Sequence, residues 1–194
     1  MIEFISTQLV RILCNGTYLS SEQYDALNYG METLVYTVLS TLALVMIGFL
    51  FMQPLNACII IAVFYLNQTI GGGFHANSHM KCFITMAFFL MLGLAINYLH
   101  LPAKSYAILS VFAFIILMMC PLTLHKNKQY LGEQSARLIL RSRLITTMQM
   151  MMYIAICIGL RSMHMAFSIG VVFSALSRLF AVLTRRQQLY HMIK

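Results

Sequence analysis

Six long apolar runs constrain this chain most strongly, because each is close to the length needed to cross a bilayer as a helix, roughly 17 to 25 residues. Proline, glycine or basic residues lie between them, as expected where membrane helices end. The runs are Leu34–Met52, Leu55–Ile70, Phe83–Leu101, Tyr106–Leu122, Leu144–Leu160 and Met163–Leu183. The sequence therefore predicts an all-α integral membrane protein with about six transmembrane helices.

The composition agrees with this class of protein. Hydrophobic residues make up 60% of the chain and charged residues only 9%, whereas a soluble domain carries roughly 25% charged residues. The formal net charge of +8 is also typical of nucleic-acid-binding proteins, but here the basic residues lie at the ends of apolar runs and form no separate arm or face. Membrane lipids are therefore the predicted partner of this charge, and nucleic acid is not.

The basic residues are distributed unequally between the two sides that six alternating spans would define. One side receives only Lys104 and Arg161. Such an asymmetry predicts that the richer side, with both chain termini, is cytoplasmic. The richer side receives Arg11, Lys81, Lys126, Lys128, Arg137, Arg141, Arg143, Arg178, Arg185, Arg186 and Lys194.

Residues 1–33 are too polar to span a bilayer, and residues 184–194 are expected to form a cytoplasmic tail after the spans of residues 34–183. Ser20 and Gln23 have the spacing of a capping box and predict a helix start before the first span. Apolar residues before them recur at helical spacing, so this start is expected to lie in the membrane interface or to form an amphipathic tail. They are Ile2, Ile5, Leu9, Ile12 and Leu13.

The segment from Gly71 to Cys82 combines three glycines, two histidines and a cysteine at a predicted membrane boundary. His75 could activate Cys82 as a nucleophile. On one straight helix their seven-residue separation would place them about 10.5 Å apart along the axis, beyond hydrogen-bond reach. We therefore expect the glycines to end the second span and Asn77 or Ser78 to cap the third, so that Cys82 lies in a first helical turn, where the dipole favours a thiolate.

Two other interpretations of this segment stay open on the residues alone. His75, His79 and Cys82 have the i, i+4, i+7 spacing of residues on one helix face and could bind zinc, although a fourth ligand or water would be needed. Alternatively, the segment is a glycine-rich loop whose histidines lie among lipid headgroups.

The motif resembles that of the AgrB family, the membrane-embedded cysteine endopeptidases of accessory gene regulator quorum sensing. One departure concerns the four residues Asn67–Ile70, because the family often has basic residues just before the glycines. Any role that this positive charge has in the family is performed by other residues here or is absent. The resemblance rests on Gly72, Gly73, Phe74, His75 and Ala76 followed by Cys82, and on Tyr29-Gly30-Met31-Glu32 and Cys120-Pro121 elsewhere.

The resemblance implies a single membrane-embedded peptidase domain over residues 1–194 that acts on an AgrD-like precursor peptide in the bacterial cell membrane. Cys82 would be the nucleophile and His75 its base, forming a thioester that an internal residue of the precursor displaces to close a thiolactone or lactone ring. Asn77 and Ser78 would orient His75 or lie beside the oxyanion, whose donors would be main-chain amides of Ser78–Lys81. No cofactor is implied, and a homo-oligomer is left open.

Basic residues between the fourth and fifth spans have two interpretations. They either contact lipid phosphates or attract the acidic tail of the precursor. They are Lys126, Lys128, Arg137, Arg141 and Arg143.

A small transporter or channel is the main rival function. The chain has five acidic residues, and the one acid beyond Glu32, Glu133, lies outside the apolar runs. This argues against proton coupling but leaves a passive pore open. The asparagines Asn56, Asn67 and Asn97 are expected to form hydrogen bonds between helices rather than to act in catalysis.

Overall fold

The computed structural model describes the backbone of residues 2–14, 20–71, 79–99, 102–120, 132–159 and 163–193, and most side chains within these ranges. Over this part of the chain the ordered elements are all α-helices. They are α1 (Ile2–Leu13), α2 (Ser21–Leu50), α3 (Pro54–Gly71), α4 (His79–Tyr98), α5 (Ala103–Met119), α6 (Gly132–Gly159) and α7 (His164–Ile193).

Each of the helices α2 to α7 covers most of one predicted apolar run, and the all-α membrane class is confirmed. Four of them are long and apolar enough to cross a membrane, whereas α3 and α5 are apolar but shorter. The six-span count and the orientation of the termini stay predictions. The four long segments are Ser21–Leu50, Met80–Tyr98, Ala136–Gly159 and His164–Thr184.

The chain divides into two compact units, Met1–Met46 and Ile47–Lys194. In the first unit, α1 buries Ser6 and Val10 and leaves other apolar side chains exposed, which agrees with the predicted amphipathic helix. The predicted capping box is also present: the Gln23 amide donates to Ser20 Oγ at 3.3 Å, and the Ser20 amide donates to Gln23 Oε1 at 3.1 Å.

The sharp break between α2 and α3 is formed by local hydrogen bonds and a proline. The Gln53 amide donates to the Gly48 carbonyl at 2.9 Å and the Met52 amide to the Phe49 carbonyl at 3.0 Å. This is the Schellman pattern, which requires a left-handed residue, and Met52 supplies it with φ of 54°. Pro54 then begins α3, where its missing amide costs no hydrogen bond.

In the second unit α7 is the central helix and packs most extensively against α3 and α5, with α4 and α6 beside them. The approach to α3 is close at Gly170, where an added Cβ would lie 2.9 Å from Cβ of Val63. The buried apolar core shared by α3, α5, α6 and α7 comprises Val63, Ala113, Phe114, Leu117, Tyr153, Phe167, Val171 and Ala175.

Side-chain contacts along α7 show the direction of its neighbours. On α3, Asn67 bonds to Ser174 and Gln68 bonds to Ser177. Residue numbers therefore increase in the same direction along both helices, and α3 runs parallel to α7. On α5, Ser110 bonds to Ser168, and Leu117 further along bonds to the later Arg178, so α5 is parallel as well.

Helices α4 and α6 run the opposite way: on α6, Ser142 bonds to Arg178 and the later Tyr153 bonds to the earlier Ser168. The rings of Phe89 and Phe173 lie 5.2 Å apart, and Gly93, further along α4, lies beside the earlier Ile169. The ends of α3 and α5 and the starts of α4 and α6 therefore lie at the same end of the second unit. This arrangement agrees with the prediction that the glycine–histidine segment and the basic loop share one side of the membrane.

Candidate functional site

Cys82 is the fourth residue of α4 and lies in its first turn, as the capping argument expects. Its thiol is partly buried. Amides in the first turn of a helix have no partner within the helix and carry its positive dipole end. An oxyanion formed beside the Cys82 sulfur would therefore be stabilised at this position.

Several predicted site residues lie outside the described residues: Gly72, Gly73, His75, Asn77 and Ser78, together with Lys126 and Lys128. His79 begins α4, but its side chain is also outside the described set. Among the described side chains no group of three His, Cys, Asp or Glu residues is close enough to hold a metal ion. The zinc alternative, which needs His75 and His79, stays a prediction.

The last two turns of α3, which lead into the glycine–histidine segment, are held by buried amide groups. Nδ2 of Asn67 lies 3.0 Å from both the Val63 carbonyl and Gln149 Oε1, and 3.3 Å from Ser174 Oγ. Gln68 Nε2 donates to Ser177 Oγ at 2.5 Å. The predicted interhelical role of Asn67 is confirmed.

The other two asparagines bond near the opposite end of the second unit. Asn97 on α4 donates to Gln53 Oε1 at 2.6 Å, and Asn56 donates to the same atom at 3.0 Å. Asn97 therefore links α4 to the start of α3, as predicted. Asn56 instead bonds to a residue only three positions before it in the chain.

Arg178 was counted as a cation at the membrane surface, and this prediction is wrong. Its side chain is buried and only 1% exposed. Its Nη1 donates to the Leu117 carbonyl at 2.7 Å and its Nη2 to Ser142 Oγ at 3.4 Å. Since α5 ends at Met119, the Leu117 carbonyl lacks a partner in its own helix. The guanidinium thus caps the negative end of α5 from α7.

The buried face of α6 is polar, which sequence analysis missed. The buried residues among its described side chains are Ser142, Thr146, Gln149 and Tyr153, at intervals of four, three and four residues. Its outward face instead carries exposed leucine, isoleucine and methionine. The i, i+4, i+7, i+11 spacing of polar residues in an apolar run was the available signal.

The family model for accessory gene regulator B matches residues 6–181. The match includes Cys82, the whole glycine–histidine segment and all but the ends of the chain. The chain belongs to the AgrB family. No curated protein and no solved structure matches it. Membership and the apolar helices establish a quorum-sensing accessory gene regulator protein of the membrane.

The described side chains just before the glycines of this AgrB-family chain are neutral, and the structure gives Asn67 and Gln68 a packing role. Asn67 and Gln68 bind side chains of α6 and α7. Thr69 bonds only within α3, to the Tyr65 and Leu66 carbonyls. The last turns of α3 are therefore fixed by neutral hydrogen bonds in this AgrB-family member.

Three of the five basic residues predicted to bind the substrate tail are described. Arg137, Arg141 and Arg143 are all exposed and lie in the first half of α6. Because α4 and α6 begin at the same end of the second unit, these guanidinium groups and Cys82 share that end. Their exposure suits either lipid phosphates or an acidic peptide.

Proposed function

We propose that this protein is a cysteine endopeptidase that removes the C-terminal tail of an AgrD-like precursor and allows the remainder to cyclise into a thiolactone or lactone signal. Cys82 is the nucleophile and His75 is the base. The reaction takes place at the cytoplasmic face of the bacterial membrane, with both chain termini on that side. The observation that carries the proposal is the position of Cys82, seven residues after His75, in the first turn of α4 of an AgrB-family chain.

In the first half-reaction His75 takes the proton of the Cys82 thiol, and the sulfur attacks the carbonyl carbon of the scissile peptide bond. An S–C bond forms, the C–N bond breaks, and His75 returns the proton to the leaving amine of the tail. The rest of the precursor stays on Cys82 as a thioester.

In the second half-reaction an internal cysteine or serine of the precursor attacks the same carbonyl carbon. Its proton passes through His75 to the departing Cys82 sulfur, so that the free thiol is restored. The thioester or ester bond of the ring replaces the thioester bond to Cys82, so no oxidant and no nucleotide is consumed. A site shielded from water would favour this attack over hydrolysis.

The start of α4 supports the stabilisation of the tetrahedral oxyanion. Lys81 and Cys82 lie in the first turn of α4, where the positive end of the helix dipole lies. A developing negative charge next to the Cys82 sulfur would accept hydrogen bonds from main-chain amides of this turn. Asn77 and Ser78 are proposed to orient His75.

The proposal is tested by reconstituting the protein in lipid vesicles with a synthetic AgrD-like precursor and identifying the products by mass spectrometry. Two products are expected: the free tail, and a cyclic peptide lighter by one water than the linear remainder. Intact precursor after prolonged incubation would contradict the proposal. In that case, metal content and transport of the precursor across the vesicle membrane would be measured instead.

The exposed basic residues of α6 are proposed to attract the acidic tail. Reversal of charge at Arg141 and Arg143 to glutamate should raise KM several-fold, because it replaces attraction with repulsion, and the difference should shrink as ionic strength increases. Lys104→Glu is the control, since Lys104 is exposed at the start of α5, at the opposite end of the unit. An unchanged KM at equal membrane levels would assign these arginines to lipid contact alone.

A further inference from the structure

Buried polar atoms without hydrogen-bond partners cluster where α3 and α6 meet α7. They are Gln68 Oε1, Gln149 Nε2 and Arg178 Nε. Gln149 is 3% exposed and Arg178 is 1% exposed, so water does not solvate them from the surface. Unsatisfied buried groups of this kind are costly and are uncommon outside functional sites.

The three groups are associated with a single turn of α7, the helix that carries Arg178. Gln149 reaches α7 through Asn67, which bonds to Ser174, and Gln68 bonds to Ser177. Ser174 and Arg178 are four residues apart, or about 6 Å along the helix. Two donors and one acceptor are thus left unused in one small region between three helices.

The end of this region that contains Gln68 and Arg178 is close to the level of Cys82. Phe89 on α4 contacts Phe173 on α7, and the two helices run in opposite directions. Cys82 lies seven residues before Phe89, so its level on α7 is seven residues after Phe173, close to residue 180. The side chains of Gln68 and Arg178 therefore lie at nearly the same depth as the candidate nucleophile.

The charge of Arg178 is only partly balanced. Both acceptors of its guanidinium are neutral, one carbonyl and one hydroxyl. The C-terminal end of α5 contributes roughly half a negative charge. In sequence, the only acid in the second unit is Glu133, nine residues before Ser142 on α6 and about 13.5 Å away along its axis. Charged groups inside membrane proteins pair with opposite charges or with backbone carbonyls, and the hydrogen bonds described for Arg178 provide a carbonyl but no anion.

We propose that Arg178, Gln149 and Gln68 form a subsite for a carboxylate-bearing residue of the peptide substrate, several residues from the bond that Cys82 attacks. The carboxylate accepts hydrogen bonds from Arg178 Nε and Gln149 Nε2, and Gln68 Oε1 accepts one from a main-chain amide of the same peptide. The substrate separates α6 from α3 and α7 as it enters. This inference rests on the proposed function, because it assumes that the substrate is a peptide.

The contacts of α6 suit such an entry. Its packing on α3 and α7 is much less extensive than the packing of α3 on α7. The described hydrogen bonds that join α6 to its neighbours include Asn67 to Gln149, Arg178 to Ser142 and Ser168 to Tyr153. Around Ser142 and Gln149 a peptide can replace bonds of this kind with its own, whereas Tyr153, further along α6, packs in the shared apolar core.

Gln149→Glu is the decisive variant. It keeps the oxygen that accepts from Asn67, removes the unpartnered donor and places the protein's own carboxylate where the substrate carboxylate would bind. Binding is measured with a labelled synthetic AgrD-like precursor and Cys82→Ala protein in nanodiscs, so that no turnover is involved. The variant is expected to resist thermal unfolding better, by pairing with Arg178, and to bind the precursor about tenfold more weakly.

A set of precursors, each with one Asp or Glu replaced by its amide, identifies the carboxylate. The precursor that lacks the bound carboxylate should bind weakly to protein that keeps Gln149. The Gln149→Glu substitution should not lower the affinity for this precursor any further. Gln23→Glu is the control substitution, since Gln23 is exposed at the start of α2 and also keeps its acceptor oxygen. It should not change the affinity for any precursor.

The outcomes are distinct. Higher thermal stability with unchanged affinity would assign the cluster to folding alone and overturn the subsite. So would an equal effect of Gln149→Glu on every precursor of the set.

If the variant does not fold, a precursor with a photo-crosslinker beside the identified acid replaces it, with adducts expected on α6 or α7 near Gln149 and Arg178. Adducts confined to other regions would reject the subsite. Because Cys82→Ala is used throughout, failure here is separate from failure of the cysteine mechanism.

Discussion

Replacement of Cys82 by alanine is expected to abolish tail release, and replacement of His75 by alanine should lower its rate by about 10² to 10⁴-fold. Without the sulfur no thioester forms, so the Cys82→Ala rate should fall by at least about 10³-fold. Without the imidazole the thiol keeps its proton and the leaving amine receives none. The rates are measured by mass spectrometry of tail appearance in vesicles with equal amounts of protein.

The matched control is Cys58→Ala. Cys58 is another free cysteine, exposed on α3 and outside the candidate site. Its replacement should leave tail release within about twofold of wild type, because surface substitutions rarely change stability by more than about 0.5 kcal/mol. Tail release at a normal rate by both the Cys82 and His75 variants would eliminate the cysteine mechanism.

Gly170→Ala is expected to lower the stability of the protein substantially. An added Cβ would lie 2.9 Å from Cβ of Val63 and 3.2 Å from the Ile60 carbonyl oxygen, so α3 and α7 would have to separate. Overpacking of this kind costs about 1 to 3 kcal/mol. Because α3 leads into the glycine–histidine segment, tail release should slow as well. Unfolding in detergent and the rate in vesicles measure the two effects.

Gly159→Ala is the comparison for intrinsic helix propensity. No atom lies within 4 Å of a Cβ added at Gly159, so alanine there gains helix propensity without a clash. This variant should be as stable as wild type or slightly more stable. Equal stability of the Gly170 and Gly159 variants would show that α3 and α7 are not closely packed at this point.

Much of the fold could be predicted because the bilayer imposes simple rules on sequence. Apolar runs of spanning length, separated by proline and glycine, indicated helices α2 to α7. The capping box at Ser20 and Gln23 correctly placed the start of α2. Local spacing also placed Cys82 in a first helical turn, which α4 confirms. These features depend on residues close together in the chain, which is why sequence alone was sufficient.

The polar interior could not be predicted in the same way, because it depends on helix pairing. Arg178 was assigned to the membrane surface by counting charges, yet it caps α5 inside the second unit. Nothing near Arg178 in sequence indicates Leu117 or Ser142 as its partners. Gln149 and Ser174 likewise meet Asn67 only through the fold. A charge count assumes a side chain at the end of its helix, and burial within the bundle breaks that assumption.

The most direct test of the cysteine mechanism is to capture the thioester on Cys82. A precursor whose internal cysteine or serine is replaced by alanine cannot close the ring, so the acyl group should accumulate on the protein after the tail is released. Peptide mapping by mass spectrometry is then expected to find the adduct on Cys82 and to show its loss with hydroxylamine. Tail release with no adduct on Cys82, or with the adduct on another cysteine, would contradict the proposed mechanism.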